Sequence, residues 1–472
     1  MLDSRTRTAP SATATAPRTQ RQRDPYWLAA ALFGAYAAIS VGRFRGMGTM
    51  SWDLGIFEQA VRGYAHVRAP VADIKGPGFN LLGDHFSPVT ALIAPFYRIF
   101  PSAVTLLVAQ AALFALSVVP VTRAAARALG RGRGFAVGAA YGLSWGIQRA
   151  VDFDFHEVCF AVPLVAFALE AVLRQRWRAA LWWAAPLVLV KEDLGVTAAA
   201  IGAIVALRAR RTDPKAVTYA VGLMAFGVVA CEVELAYVIP AFNATGSYGY
   251  WAKMGADASG SILGHLVGGA DQKLRTLLWV LLPTSGLLAA RSPLLLAALP
   301  TLAWRFTSGD NHYWGTDWHY NAVLMPVVAL ALVDAMGPAL SGRRPWLRRY
   351  AAHVPAASLA AALALSTTLP LANLTRTALY DPGTRAAAAA RVLAAVPDGA
   401  TVEADIGPLA HLTNRCRVLW VTNTQGIVPG YLALDESDKS AAEVLTYAHQ
   451  LHPDVSYRIV ADESGYWVLR RV

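Results

Sequence analysis

Four ionisable residues stand close together in the run DFDFHE, residues 152–157, between two long apolar segments. Asp152, Asp154 and His156 alternate with apolar residues, and carboxylate oxygens combined with an imidazole nitrogen are ligands that bind divalent cations. The same groups can contact a phosphate, or they can cap the backbone at the wet tip of a helical hairpin. We favour contact with an ion or a phosphate, because charge in so apolar a neighbourhood is costly without a function.

A further acid, Asp53, lies near the start of the segment MSWDLGIFEQAVRGY, in which apolar residues recur at helical spacing. An acid in the first turn of a helix also interacts favourably with the helix dipole, so capping explains Asp53 alone as well as catalysis does. The functional interpretation gains weight from the neighbouring runs IKGPGFN and GDHFSP, which lie in the same loop and include His85. Phosphate or sugar binding needs such close backbone approach together with a few hydrogen-bond donors.

Two more polar runs interrupt apolar segments, at residues 191–193 (KED) and at residues 305–320 (RFTSGDNHYWGTDWHY). Lys191 can neutralise a neighbouring acid, or it can present its ammonium group to a phosphate. The tryptophans and tyrosines of the longer run are typical of an interfacial aromatic belt. His312 and His319 are the residues that such a belt does not need, so a functional role stays open for both.

The composition indicates an integral membrane protein. Hydrophobic residues make up 55% of the 472 residues and charged residues 15%, whereas about 25% charged residues is usual in soluble domains. The formal charge of +11 comes from arginine clusters between apolar segments, which the positive-inside rule explains without a nucleic-acid partner. The three cysteines build neither a disulfide framework nor a cysteine-based zinc site.

Apolar segments fill the region 25–375, and they predict an α-helical polytopic membrane protein with about eleven transmembrane helices. Residues 1–24 are rich in Ser, Thr, Pro and Arg and are predicted to be disordered, basic and cytoplasmic. With the N-terminus inside, every second loop carries an arginine cluster and faces the cytoplasm. The candidate spans are residues 27–41, 103–121, 135–147, 158–172, 179–190, 194–207, 216–239, 277–290, 293–304, 322–336 and 351–371.

This topology brings the polar runs to one face of the membrane. The runs described above and the first outer loop, residues 42–87, all fall on the extracytoplasmic side. Residues 376–472 have the periodicity of a soluble unit with two helical segments and several short strands, which predicts a small extracytoplasmic α/β domain. We therefore expect any chemistry at the outer ends of the helices.

Several common signatures of membrane enzymes and motors are missing from the sequence. The chain contains no G-x-x-x-x-G-K-[ST], no H-E-x-x-H and no G-x-S-x-G, which argues against an ATP motor and against the usual zinc and serine hydrolases. Two other functions stay open. One is a multispan transporter whose acids bind cations or relay protons, and the other is a non-enzymatic envelope assembly protein.

Five short runs together resemble an uncharacterised family of predicted bacterial membrane proteins, DUF2079. They are DLGIFEQAV, GDHFSP, DFHE, KED and HYN. That family is similar in turn to the GT-C membrane glycosyltransferases, which take sugars from polyprenyl-phosphate donors outside the membrane. The resemblance implies a multi-pass protein of the bacterial plasma membrane. Its partners would be the lipid bilayer, a polyprenyl-phosphate sugar lipid, and an envelope glycan, lipid or protein as acceptor.

The resemblance also implies roles for the ionisable residues. GT-C enzymes place an essential acid in the first outer loop, which matches Asp53 as the base that takes the proton of the acceptor. Cations would stabilise the charge on the leaving phosphate; the candidates are His85, Arg149, His156, Lys191 and His319. A second acidic motif would orient these cations or hold a divalent cation, Mg or Mn; its candidates are Asp152, Asp154, Glu157, Glu192 and Asp193. The candidate metal ligands are Asp152, Asp154 and His156.

Overall fold

The computed structural model describes residues 18–251, residue 264 and residues 267–472 of the chain. It is mostly helical, with a small sheet near the C-terminus, as the sequence predicts. The sequence predicts disorder for residues 1–24, of which residues 1–17 lie outside the described residues. Residues 18–24 belong to the first helix, which begins well before the predicted span.

The membrane region is a bundle of helices of unequal length. Its α-helices are α1 (Arg18–Arg45), α2 (Asp53–Ala65), α3 (Ala94–Ile99), α4 (Ala103–Leu129), α5 (Arg131–Gly142), α6 (Trp145–Asp152), α7 (Ala161–Leu173), α8 (Trp177–Ala184), α9 (Leu194–Ala209), α10 (Pro214–Val233), α11 (Ile239–Phe242), α12 (Ala270–Ser285), α13 (Leu299–Thr307), α14 (Leu324–Ser341) and α15 (Pro345–Ser366). Short 3₁₀ segments connect many of them, at Asp73–Lys75, Leu81–Gly83, Pro88–Ile93, Glu157–Phe160, Ala185–Leu189, Leu288–Arg291, Pro293–Ala298, Asn311–Tyr313, Pro370–Thr375 and Thr377–Leu379. A π-helical turn, Glu234–Val238, joins α10 to α11.

The number of spans is smaller than the sequence predicts if only long helices are counted. Among the described residues, four helices are long and apolar enough to cross a membrane, so the predicted number of eleven is not confirmed. These four are Arg23–Arg45, Ala103–Leu129, Pro214–Phe242 and Leu324–Ser341. Several other predicted spans are broken, for example where Pro186 lies in a 3₁₀ segment after α8 and Pro300 lies at the start of α13. Proline lacks a backbone N–H, which favours such interruptions.

Close helix packing in the bundle depends on small residues. Helices α9 and α10 pack along much of their length, and a Cβ atom at Gly195 would lie 2.4 Å from the carbonyl oxygen of Gly227. Small residues allow this approach of two backbones, which is typical of membrane helices. Helix α14 packs against α4, α7, α12 and α15, and most of its residues are buried.

Helix α4 separates two polar layers. Near its beginning, the Gln110 amide nitrogen donates to the carbonyl oxygen of Asp154, while its amide oxygen accepts from the backbone N–H of His156. Near its end, Arg123 and Arg127 pair with Glu170 of α7. At 1.5 Å per residue, Gln110 and Arg123 lie roughly 20 Å apart along the helix. The DFDFHE run and this arginine cluster therefore lie at opposite ends of the bundle.

The C-terminal region folds as a helix-and-sheet unit. Helix α16 (Gly383–Leu393) precedes a five-stranded sheet with the order β2-β1-β3-β5-β4, in which β1 is parallel to β2 and β3 and the remaining pairs are antiparallel. The strands are β1 (Thr401–Ala404), β2 (Arg417–Trp420), β3 (Tyr431–Asp435), β4 (Tyr457–Glu463) and β5 (Tyr466–Arg471), with α17 (Ile406–Leu409) and α18 (Ala441–Leu451) between them. A capping box between Ser440 and Glu443 begins α18.

The C-terminal unit is docked on α2. A Cβ atom at Gly55 would lie 2.1 Å from Leu409 Cδ2, so the helix and the unit are in close contact there. One turn later, the buried Glu58 carboxylate accepts from the Thr413 hydroxyl. Arg62 donates to the carbonyl oxygen of Cys416 at 2.8 Å. These contacts fix the position of α2, which begins with Asp53.

Candidate functional site

A cavity of about 780 Å³ lies at the end of the bundle that carries the DFDFHE run. The loop around α2, the DFDFHE and KED runs, residues 248–251 and the aromatic run before α14 all contribute to its walls. The sequence predicts that these runs meet on one face. The structure brings them to a single cavity.

Asp53 lines this cavity from the first residue of α2. Its carboxylate accepts from the Ser51 hydroxyl at 3.3 Å. Burial raises the pKa of Asp53 above its usual value, and the nearby charge of His156 opposes part of that rise. A carboxyl group with a raised pKa is a better proton acceptor than an ordinary aspartate, so the position and the pKa both suit a general base.

Glu157, His156 and Lys191 form a compact charged group at the base of the cavity. Glu157 is fully buried, and its two carboxylate oxygens lie 2.7 Å from His156 Nδ1 and 3.5 Å from Lys191 Nζ. Burial alone would raise the pKa of Glu157, but the charges of His156 and Lys191 lower it well below its usual range. Glu157 is therefore a carboxylate that holds two cavity-lining groups, and it does not line the cavity itself.

A second group joins the KED run to the first outer loop. Glu192 lies 2.7 Å from His85 Nδ1, and it accepts from the Phe86 backbone N–H at 3.2 Å and from the Tyr248 hydroxyl at 2.9 Å. Burial alone would lower the pKa of His85, but the charge of Glu192 raises it. The ring of His85 stacks on Tyr250 with centroids 4.5 Å apart.

Lys75 and Asp84 also line the cavity, and sequence reasoning missed both. Lys75 Nζ lies 2.5 Å from the Asp84 carboxylate. Burial alone would raise the pKa of Asp84, but the charges of His85 and Lys75 lower it. The signal was present in the sequence, because Lys75 begins KGPG and Asp84 lies in GDHFSP, within the loop that also carries Asp53.

Asp152 and Asp154 lie behind the cavity wall. Arg43 pairs with the Asp152 carboxylate. The Asp154 carboxylate accepts from the Met50 backbone N–H at 2.9 Å. Burial raises the pKa of Asp154 to about 6, although the charge of Arg43 lowers it in part. Both acids hold the start of the first outer loop in place, and neither lines the cavity.

The predicted metal ligands are not grouped together. Asp152 faces Arg43, Asp154 is bonded to Met50 and His156 contacts Glu157. Within residues 18–251, 264 and 267–472, no set of three or more His, Cys, Asp or Glu side chains is arranged to hold a metal ion. The side chains of the described residues therefore do not fit the predicted divalent cation.

The remaining candidates have different environments. His319 stacks on His156 with ring centroids 3.5 Å apart, and burial together with the His156 charge lowers the pKa of His319 well below its usual value. Asp193 lines the cavity, and burial raises its pKa to about 6. Arg149 lies outside the cavity wall, 3.8 Å from the exposed Asp317. The predicted contact of Arg149 with a cavity-bound phosphate is therefore not supported by its position.

The aromatic run before α14 is held by Arg305, a third residue that sequence reasoning missed. Arg305 is fully buried and donates to the carbonyl oxygens of Tyr313 and Gly315, both at 2.7 Å, and to the Asn321 amide oxygen at 2.9 Å. These bonds shape the segment that places His319 in the cavity.

One wall of the cavity is apolar and is formed by helices of the bundle. This wall consists of Val196 of α9, Cys231 of α10, Leu235 of the π-helical turn, and Pro300 and Trp304 of α13. Helix α10 lies within one of the four candidate membrane spans. The cavity therefore joins a charged region at the helix ends to an apolar surface of the bundle.

A helical bundle with such a cavity and a docked α/β unit is typical of a polytopic membrane protein with a binding site at the helix ends. The chain belongs to the family described as Predicted membrane protein (DUF2079), whose profile matches residues 43–468. This match confirms the resemblance seen in the sequence. No curated protein sequence matches the chain.

Two solved structures of ArnT from Cupriavidus metallidurans, a GT-C glycosyltransferase, are similar to the chain. The structure bound to undecaprenyl phosphate has a TM-score of 0.56 at 13% sequence identity, over 93% of this chain and 97% of ArnT. The apo structure has a TM-score of 0.47 at 14% identity, over the same shares of the two chains. The first of these similarities shows an ArnT-like fold.

Proposed function

We propose that this protein is a GT-C-like membrane glycosyltransferase that transfers a sugar from a polyprenyl-phosphate-linked donor to an acceptor of the cell envelope. The observation that carries the proposal is the cavity, because a single space joins charged side chains to an apolar wall of membrane helices. A polyprenyl-phosphate sugar likewise combines a charged phosphate with an apolar chain. The ArnT-like fold supports the proposal, since the ArnT structure with that fold holds undecaprenyl phosphate.

The cationic groups of the cavity suit a lipid phosphate. Lys191, Lys75 and His85 all line the cavity, and the pKa shift of His85 favours its charged form. Each of these cations already faces a carboxylate, which fixes its position before a ligand arrives. Such preorganised charge stabilises a leaving phosphate as the bond between the sugar and the phosphate breaks.

Asp53 is the proposed base. The hydroxyl of an acceptor attacks the anomeric carbon of the donor sugar, and Asp53 takes the proton of that hydroxyl as the phosphate leaves. Positioned acids and bases of this kind contribute about 10²–10⁴-fold to a rate. The buried Glu157 holds His156 and Lys191 as a positioning residue and does not touch the substrate.

The reaction is proposed to take place on the extracytoplasmic face, with the C-terminal unit on the same side. The positive-inside rule places arginine clusters in the cytoplasm. One such cluster, Arg123 and Arg127 with Glu170, lies at the end of α4 far from the cavity. The C-terminal unit contacts α2 beside the cavity, so it shares the side on which the cavity lies.

The test uses the full chain purified in lipid nanodiscs. A photoactivatable undecaprenyl phosphate should label the wild-type protein, and mass spectrometry should place the label on cavity-lining segments such as the apolar wall of α9, α10 and α13. Lys191→Met should reduce labelling by about tenfold or more. Lys215→Met, at the start of α10, removes a lysine from a predicted cytoplasmic loop and serves as the matched control.

A second measurement tests the chemistry. Membranes that contain the wild-type protein should transfer a radiolabelled sugar from a polyprenyl-phosphate donor, whereas Asp53→Asn should lose transfer and keep lipid labelling. Asp462→Asn changes an exposed acid at the far edge of the sheet and should transfer normally. Full transfer by Asp53→Asn would refute the proposed base. Labelling outside the cavity would favour the transporter or assembly alternatives.

A further inference from the structure

The C-terminal unit places an aromatic residue against Trp52, which directly precedes the candidate base. Trp52 precedes Asp53 at the start of α2, lines the cavity and is 45% exposed. Trp420, at the end of β2, lies with its ring centroid 5.4 Å from that of Trp52, and the two planes are inclined by 50°. Two distant parts of the chain thus form one aromatic surface, which we call the tryptophan pair, and its Trp52 lines the cavity.

The segment after Trp420 packs on the loop that carries Lys75. A Cβ atom at Gly76 would lie 2.6 Å from the Gln425 side-chain nitrogen, so the two segments are in close contact there. The Asn423 amide donates to the carbonyl oxygen of Ile74 at 3.4 Å. Residues 420–426, here called the 420–426 loop, therefore lie against the outer loop next to the cavity.

The backbone of the 420–426 loop is unusual. Thr422 and Gln425 have positive φ angles of 71° and 48°, which are unfavourable for residues other than glycine. Such conformations are concentrated at ligand-binding sites, where the surrounding contacts hold them. Here the backbone N–H of Thr422 donates to the buried Glu403 carboxylate at 2.8 Å, which is one such contact.

The chemistry of this surface suits a neutral sugar. Arg417, at the start of β2, is paired with Asp73 at 2.8 Å, so this cation of the C-terminal unit is balanced by an acid. What the surface adds is two indole rings together with the exposed hydroxyl and amide groups of Thr422 and Gln425. The C–H faces of pyranose rings stack on indole, and sugar hydroxyl groups exchange hydrogen bonds with amides and hydroxyls.

We infer that Trp52, Trp420 and the 420–426 loop form a subsite for a carbohydrate acceptor, which the C-terminal unit completes. The inference rests on the proposed function for the use of the bound sugar, because a sugar stacked on Trp52 presents its hydroxyl groups to the adjacent Asp53. The acceptor is then an envelope glycan, and the C-terminal unit selects it. Donor lipid and acceptor sugar enter the same cavity from different walls.

The experiment measures glycan binding by the full chain in nanodiscs, by saturation-transfer NMR and calorimetry. The probes are three neutral tetrasaccharides, chitotetraose, maltotetraose and α-1,6-mannotetraose. At least one should bind the wild-type protein. Trp420→Ala and Trp52→Ala should each weaken that binding by about tenfold or more, and Trp420→Phe should recover much of it because an aromatic face is restored. Trp346→Ala, which removes an exposed tryptophan of α15, should bind as the wild type does.

The outcomes separate this inference from the proposed function. Undiminished binding by both Trp420→Ala and Trp52→Ala, or no binding of any of the three glycans, would overturn the subsite even if the cavity binds polyprenyl phosphate. Loss of glycan binding by Trp420→Ala with retained labelling by the lipid probe supports the subsite and shows that the variant is folded. If glycans bind through the tryptophan pair but Asp53→Asn still transfers sugar, the subsite stands and the proposed base does not.

Discussion

Glu157 Oε1 lies 3.5 Å from Lys191 Nζ, although the two residues belong to different polar runs of the sequence. Glu157 is fully buried, and the Lys191 side chain is 10% exposed. Neither residue is readily accommodated alone, because an isolated charge in such a place costs several kcal/mol. The pair thus joins the DFDFHE run to the KED run and holds an ammonium group in the cavity.

Removal of one member of this pair should destabilise the protein more than removal of both. Glu157→Gln or Lys191→Met alone leaves a buried charge without its partner, and we expect each to cost about 3–5 kcal/mol in the free energy of unfolding. The double variant should recover much of that loss. Unfolding of the four proteins in detergent gives the coupling energy. Strictly additive effects would show that the two charges do not interact.

The raised pKa of Asp53 predicts the pH dependence of sugar transfer. Burial is the main cause of the rise, and a base must be deprotonated to act. Transfer should therefore increase with pH through a value above about 3.9, the usual pKa of an aspartate. Asp53→Asn should lose most of the rate at every pH, whereas Asp462→Asn should keep the wild-type profile. A rate–pH profile without an acidic limb would contradict this assignment.

His85 and Glu192 should stabilise the protein in a defined pH range. Glu192 raises the pKa of His85 despite burial. The contribution of His85 to the free energy of unfolding is therefore complete below the unfolded pKa of about 6.5, and it disappears as pH rises through the folded pKa. His85 lowers the pKa of Glu192, although burial alone would raise it. The contribution of Glu192 is present above about pH 4.3 and disappears as pH falls through its lowered pKa.

The measurement is the difference in unfolding free energy between the wild type and His85→Gln as a function of pH. We expect the difference to be largest between about pH 4.3 and 6.5 and to decrease on the alkaline side. His66→Gln, which changes a histidine of the same loop outside the cavity, is the control. A difference that does not change with pH would show that folding does not shift the pKa of His85.

The prediction of a shared face succeeds for a physical reason. The spacing of the arginine clusters predicts which helix ends share a side, and in the structure Asp53, His156 and Lys191 line one cavity. The mainly helical fold with a small C-terminal sheet is confirmed as well. Hydropathy alone does not give the number of spans, because proline-broken and 3₁₀ segments look like continuous apolar runs in the sequence.

Other parts of the site could not be predicted from the chain alone. Lys75 lines the cavity and pairs with Asp84, whereas Arg305 is not part of the cavity lining and donates to the carbonyl oxygen of Tyr313. Loop conformation decides both partners. Asp152 and Asp154 look like metal ligands in the sequence. In the structure, Asp152 pairs with Arg43, and Asp154 accepts a hydrogen bond from the Met50 backbone N–H. Spacing in a loop does not determine which atoms point toward one another.

Glu58 should make the stability of the protein depend on pH near neutrality. It is fully buried, and it accepts from the Tyr97 hydroxyl at 3.0 Å and from the Thr413 hydroxyl. Burial raises its pKa to about 7. A raised carboxyl pKa means that the folded state binds the proton more tightly, so stability is complete below the unfolded pKa and is lost as pH rises through about 7.

Glu58→Gln removes this titration. The variant and the wild type should have similar stability at about pH 4, and the variant should be more stable above pH 7 by roughly 3 kcal/mol. Asp462→Asn alters an exposed acid of the C-terminal unit and serves as a control for general effects of charge. If the stability of Glu58→Gln equals that of the wild type at every pH, the pKa of Glu58 is not raised in the contact between α2 and the C-terminal unit.

Gly55 should be essential for the contact between α2 and the C-terminal unit. A Cβ atom there would lie 2.1 Å from Leu409 Cδ2 and 2.9 Å from Ile74 Cδ1, so Gly55→Ala should overpack the contact and cost about 1–3 kcal/mol despite the better helix propensity of alanine. Gly34→Ala in α1 is the matched control, since nothing lies within 4 Å of the added atom. Gly34→Ala should be neutral or slightly stabilising.

Because α2 begins with Asp53, directly after Trp52, Gly55→Ala should also weaken glycan binding, while labelling by the lipid probe at the apolar wall should change less. Equal stability of the two alanine variants would mean that the C-terminal unit does not pack closely on α2.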